Sequence, residues 1–180
     1  MTWEALTAVG TIVLALIAIS MGYIQTKGFK LNLAANLSMK LVDQFDQKEF
    51  KLIRSKAARA LKDHVAEEEA EDVFDFFETV GLFTRRKALD VEVVHSLFFH
   101  WINMYWVAGK PYISRRQSES KCLWKDFGYL YREVLAVEMK DDPSSQDISL
   151  SPEDLEHHLN DEVALMPPAG EVSLSDSKQE

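Results

Sequence analysis

Cysteine is almost absent from this sequence of 180 residues: Cys122 is the single one. One thiol excludes an intramolecular disulfide and suits a reducing compartment. It lies in Ser120-Lys121-Cys122-Leu123-Trp124, which reads as an ordinary helix face rather than the setting of a nucleophile. Glycine is scarce too, with seven in all, and none falls into the phosphate-cradling or dinucleotide pattern. No nucleophile elbow is present. No stretch alternates polar and apolar residues between hairpin turns, which excludes an antiparallel sheet as the organising element. No internal repeat is visible. The five histidines, His64, His95, His100, His157 and His158, form no complete metal set by spacing. Glu92-Val93-Val94-His95 has one copy of the Glu-x-x-His spacing that bundle di-iron sites need twice. Nothing calls for a cofactor, a metal or a small-molecule substrate.

Charge is unevenly spread. Residues 1–140 carry 19 Lys and Arg against 18 Asp and Glu, whereas residues 141–180 carry 1 Lys against 11 acids. The net charge of −9 therefore belongs to a tail. A nearly neutral main portion argues against nucleic acid as a partner. The short clusters Arg85-Arg86-Lys87 and Arg115-Arg116 read as solvated turns.

One long apolar run is present. Ala5 to Ile24 is 20 residues without a charge, and a helix of that length reaches about 30 Å, the thickness of a hydrocarbon core. Its nine Leu, Ile and Val residues contribute roughly −3 to −5 kcal/mol to insertion. Trp3 and Tyr23 flank it, where amphipathic rings favour the headgroup region. No Lys or Arg precedes it, unlike a cleaved signal peptide. Residues 1–25 are thus expected to be a single transmembrane anchor. From Thr26 to Lys62, nine basic residues oppose Asp43, Asp46 and Glu49. This places the amino terminus outside and the remainder in the cytosol at the plasma (inner) membrane, with the lipid bilayer as one partner. Thr7, Thr11, Ala15, Ala18 and Gly22 share an arc of about 80° on that helix. Such a small-residue face lets helices approach closely, so self-association or a partner helix is expected there.

Residues 26–140 repeat apolar residues at helical spacing. Leu37, Leu41 and Phe45 suggest a first helix. Asp46 with Glu49 resembles a capping box, and Phe50, Ile53, Ala57, Ala60 and Leu61 follow. Val73, Phe76, Phe77 and Val80 mark a third helix that ends near Gly81 and Arg85-Arg86-Lys87. Asp90 is the expected N-cap of a fourth, which carries Val94, Leu97, Phe98, Trp101 and Tyr105 and is expected to break at Gly109 and Pro111. Leu123, Phe127, Leu130, Val134 and Val137 mark the last. The fold class is all-α: an anchor followed by a bundle of four to five helices. Glu78 adjoins Phe76 and Phe77, so if buried it needs a cation, and Arg85 or Arg86 is the expected partner.

Asp75-Phe76-Phe77-Glu78-Thr79-Val80-Gly81-Leu82, then Arg85-Arg86, Leu89-Asp90 and the aromatic run to Tyr105-Trp106 resemble an uncharacterised bacterial family. Its members are small proteins with one N-terminal membrane helix and a helical cytosolic domain. The resemblance covers roughly residues 1–135. It implies the anchor and the helical domain, and supplies no activity and no functional residues.

Residues 141–180 are rich in Ser, Asp, Glu and Pro, a composition expected to stay disordered. One island differs. Ser151-Pro152-Glu153-Asp154 is a strong helix start, and Leu155, Leu159, Val163 and Met166 follow at helical spacing. A short helix over 152–166 is expected as a docking segment that folds on binding. With no catalytic set legible, the expected function is a membrane-tethered interaction or regulatory protein, not an enzyme. A membrane-disrupting effector acting through clustered anchors is the alternative, and an enzyme whose site forms only in three dimensions is the third possibility.

Overall fold

The computed structural model describes residue 21 and residues 32–141 and 150–165. The expected anchor, with Thr7, Thr11, Ala15, Ala18 and Gly22, lies outside them. Among the described residues no helix is long and apolar enough to cross a membrane. Those residues are all-helical, with no strand. Helix α1 occupies 32–46. There follow α2 (Lys48–Asp63), a short 3-10 turn (Glu67–Ala70), α3 (Glu71–Arg85), α4 (Val91–Glu119), α5 (Lys125–Asp141) and α6 (Pro152–Ala164).

The core is mainly aromatic. Phe45 of α1 lies at the centre of a cluster with Phe50, Phe76, Phe77, Phe98 and Trp101, its ring centroids 5.0–6.0 Å from theirs. Phe77 stacks on Phe127 at 5.3 Å, tying α3 to α5. Tilted and edge-to-face pairs of this kind add about 0.5–1.5 kcal/mol each beyond the area they bury. The apolar run 97–106 delivers Phe98, Ile102, Met104 and Tyr105 to the interior.

Local signals explain most boundaries. Asp90 caps α4, accepting from the Glu92 N–H at 2.8 Å. Ser151 caps α6, accepting from the Asp154 N–H at 3.1 Å, with Pro152 in its first turn.

Three expectations need correction. The Asp46–Glu49 capping box does not form: Gln47 is the N-cap of α2 without a side-chain bond, and Asp46 instead pairs with Lys51 at 3.3 Å. Gly109 and Pro111 do not end α4, which runs unbroken for 29 residues from Val91 to Glu119. Gly109 packs against Phe74, and Tyr112 and Ile113 are buried just beyond the proline, so burial on both sides outweighs the one hydrogen bond that proline forfeits. Leu123 and the exposed Cys122 lie in a turn before α5, not on a helix face. The short helix expected over 152–166 is present. Residues 150–165 fold and pack as α6 against α2 and α4.

Candidate functional site

The aliphatic stripe of α6 faces the bundle. Leu159 is buried, and Leu155 and Val163 are partly buried against the core; Met166 lies outside the described residues. The docking segment expected from sequence thus meets its own chain. Between Leu159 and Val163 the stripe holds Glu162, whose carboxylate enters the bundle with only 6% of the residue exposed.

Four donors receive it. The Arg54 guanidinium makes a two-pronged contact, Nε to Oε2 at 2.8 Å and Nη2 to Oε1 at 2.5 Å. Trp101 donates its indole N–H to Oε1 at 2.9 Å. Tyr105 donates its hydroxyl to Oε2 at 3.1 Å. Arg54 is itself 2% exposed. A third guanidinium nitrogen donates to the Phe45 carbonyl at 3.2 Å, and its Cζ lies 3.8 Å from the centre of the Phe45 ring. Each contact satisfies a group that would otherwise be costly to bury. Burial, reinforced by the neighbouring Glu162 charge, raises the Tyr105 pKa well above the usual phenol value, so the hydroxyl stays a donor. Around this centre Ser55 donates to the Val163 carbonyl at 2.9 Å, and Lys62 reaches Asn160 at 2.6 Å.

Sequence reasoning missed Arg54, Trp101, Tyr105 and Glu162 as a set. A signal was present. Phe50, Arg54, Ala57 and Leu61 step by four, three and four, as do Leu155, Leu159, Glu162 and Met166. Each apolar stripe therefore contains one charge of opposite sign, and two such stripes can bury their charges only against each other.

Glu78 and Arg85 also find other partners than each other. Glu78 accepts from the backbone N–H of Phe127 at 2.6 Å, capping α5 from outside. Arg85 grips Asp126 with bonds of 2.6 and 2.9 Å. Arg86 sits at the C-cap of α3 beside a surface cleft with Lys87 and Tyr129. The expected Glu78–Arg85 or Glu78–Arg86 ion pair is thereby corrected: the free N–H groups at the start of α5 outcompete a guanidinium for Glu78. Burial raises the Glu78 pKa, opposed by the Phe127 bond. With Asp75, which accepts from the Trp124 indole at 2.8 Å, these residues make one face of α3 into a seat for the start of α5.

The remaining candidates are accounted for by paired contacts. His95 meets Glu138 of α5 at 2.7 Å rather than a second Glu-x-x-His copy. Arg115 and Arg116 engage Glu67 and Glu71, at 2.7 and 3.5 Å. Tyr112 also bonds Glu71, and burial plus that bond pushes its pKa up to about 12. His100 of α4 abuts His158 of α6, with ring centroids 4.2 Å apart. Desolvation, and repulsion from His158, lower its pKa. No catalytic set is evident among the described residues.

Residues 5–134 match the model of the family described as Domain of unknown function (DUF4760). The chain belongs to this family. No curated protein and no solved structure matches it. The matched segment contains Arg54, Trp101 and Tyr105 and stops before Glu162. The DUF4760 region thus supplies all the donors of the carboxylate site, and the sequence beyond it supplies the acceptor.

Proposed function

We propose that this DUF4760 chain is a membrane-tethered interaction module whose bundle receives an acidic amphipathic helix, with α6 as its resident occupant. The observation that carries the reading is the four-donor site for one carboxylate, built on α2 and α4 and filled from the tail. A side chain held by Arg, Trp and Tyr beside a leucine-lined contact has the composition of an interface hot spot. The helix-in-groove mode needs only apolar anchors one turn apart and a polar residue to fix register. Leu155, Leu159 and Val163 provide the anchors, and Glu162 provides the register. Tethering rests on the uncharged run from Ala5 to Ile24.

The test is recombination of the two parts. The chain ending at residue 149 is titrated with a synthetic peptide of residues 150–166, and binding is followed by calorimetry. Saturable binding that weakens by about tenfold or more with Glu162→Gln in the peptide is expected, since a charge-assisted bond is lost. A folded truncated chain, by circular dichroism, that shows no saturable response would overturn the reading. Equal affinity for the two peptides would overturn it as well.

A further inference from the structure

On the outer side of α6, one residue from the buried carboxylate, stand His157, His158 and Asp161. Their ligand atoms all lie within 4.8 Å of one another. On a helix, at about 100° per residue, Asp161 falls between the two histidines. His157 Nδ1 is already 3.2 Å from Asp161 Oδ2. Across the seam, His100 of α4 presents its ring edge-on to His158, at 88° and 4.2 Å between centroids. A second element thus sets a third imidazole beside the group of two histidines and one carboxylate. Imidazole with carboxylate is a ligand set for zinc and its borderline neighbours, not for calcium or magnesium, which prefer oxygen alone.

We propose that His157, His158 and Asp161 bind a divalent transition metal, zinc being the type ion, with His100 closing the site from α4. His157 and Asp161 are exposed, and their side chains can rotate to bring the ligands to bonding distance. The flanking Glu153, Asp154 and Glu156 give the first turns of α6 a negative potential that draws a cation. Asp161 and Glu162 are consecutive, so a metal on the first and Arg54 on the second hold the same turn of α6 from two directions. The ion would act as a clasp on the closed groove. That regulatory consequence rests on the proposed function; the metal site itself does not.

The experiment is a titration of the full, tag-free chain with zinc chloride by calorimetry, followed by cobalt(II) absorption to read the coordination geometry. One zinc per chain is expected, together with ligand-field bands of a tetrahedral nitrogen–oxygen site. His157→Ala and Asp161→Asn should each weaken binding by at least about tenfold, and His64→Ala should leave it unchanged. Both exposed ligands can be replaced without touching the core, and an unchanged circular dichroism spectrum checks this. Saturation absent at micromolar zinc, or affinity equal in the wild type and the ligand variants, would overturn the site. Hydrogen exchange of residues 152–164 then separates the two ideas. Slower exchange with zinc supports the clasp; zinc binding with unchanged exchange leaves the site standing and removes the clasp. Failure of peptide recombination alone removes only the groove reading.

Discussion

The Arg54–Glu162 pair illustrates how a buried salt bridge can determine placement more than stability. Desolvating two charges costs about what their attraction returns, but removing one leaves the other stranded. Glu162→Ala is therefore expected to destabilise the fold by about 3–5 kcal/mol, whereas Arg54→Met with Glu162→Leu should recover most of that loss. Urea unfolding of Arg54→Met, Glu162→Leu and the double measures the coupling, and additive singles would contradict it. Glu78 poses a different question of charge. Its folded pKa is raised, chiefly by burial, so the folded state holds the proton more tightly than the unfolded state does. Between the two pKa values the folded state binds more protons, and stability falls as pH rises through that window. Glu78→Gln has no such dependence. Unfolding midpoints of wild type and variant, compared at pH 4 and pH 7, should shift against the wild type at the higher pH.

Between elements, the tightest contact is α3 on α5. A Cβ at Gly81 would lie 2.1 Å from the Asp126 carbonyl oxygen, closer than any real contact, and the obstacle is backbone. Gly81→Ala should separate the helices and loosen the Glu78 and Arg85 bonds at the start of α5. A loss of about 1–3 kcal/mol is expected, read as a lowered melting temperature. This face also shows what sequence can and cannot disclose. Periodicity located the five helices before the tail because each buries an aromatic or aliphatic stripe. The Asp90 and Ser151 caps were legible because capping is local. The partners of Glu78 and Arg85 were not: Asp126 lies 41 residues from Arg85, and Phe127 lies 49 from Glu78. The Gly-to-Arg stretch in the family resemblance reads in space as a seat for another helix, where adjacency in sequence had suggested an ion pair. Pro111 misled for a related reason, since helix-breaking is a local preference and its opposition came from the packing around Phe74 and Tyr112.

For the whole molecule, the chain divides by composition into an apolar run, a near-neutral portion and an acidic tail, whose helix α6 packs on the bundle. The tail composition argued for disorder and was right to call it poor in apolar residues. The short helix expected over 152–166 is present as α6, because a few apolar anchors and one well-received carboxylate suffice once a formed surface is available. If the leader is a membrane span, the full chain should resist alkaline carbonate extraction from membranes, and deletion of residues 1–25 should release it. A full chain that washes off would remove the tether and leave the groove unaffected.

Timing gives the buried pair a further meaning. Arg54 and Glu162 are separated by 108 residues, which at synthesis rates of about 5–20 residues per second amounts to roughly 5–20 s on a ribosome. Throughout that interval Arg54 is without its carboxylate partner. Helix α6, leaving the exit tunnel after the other described helices, brings the missing charge. A chain cut short before residue 162 lacks the carboxylate that receives Arg54.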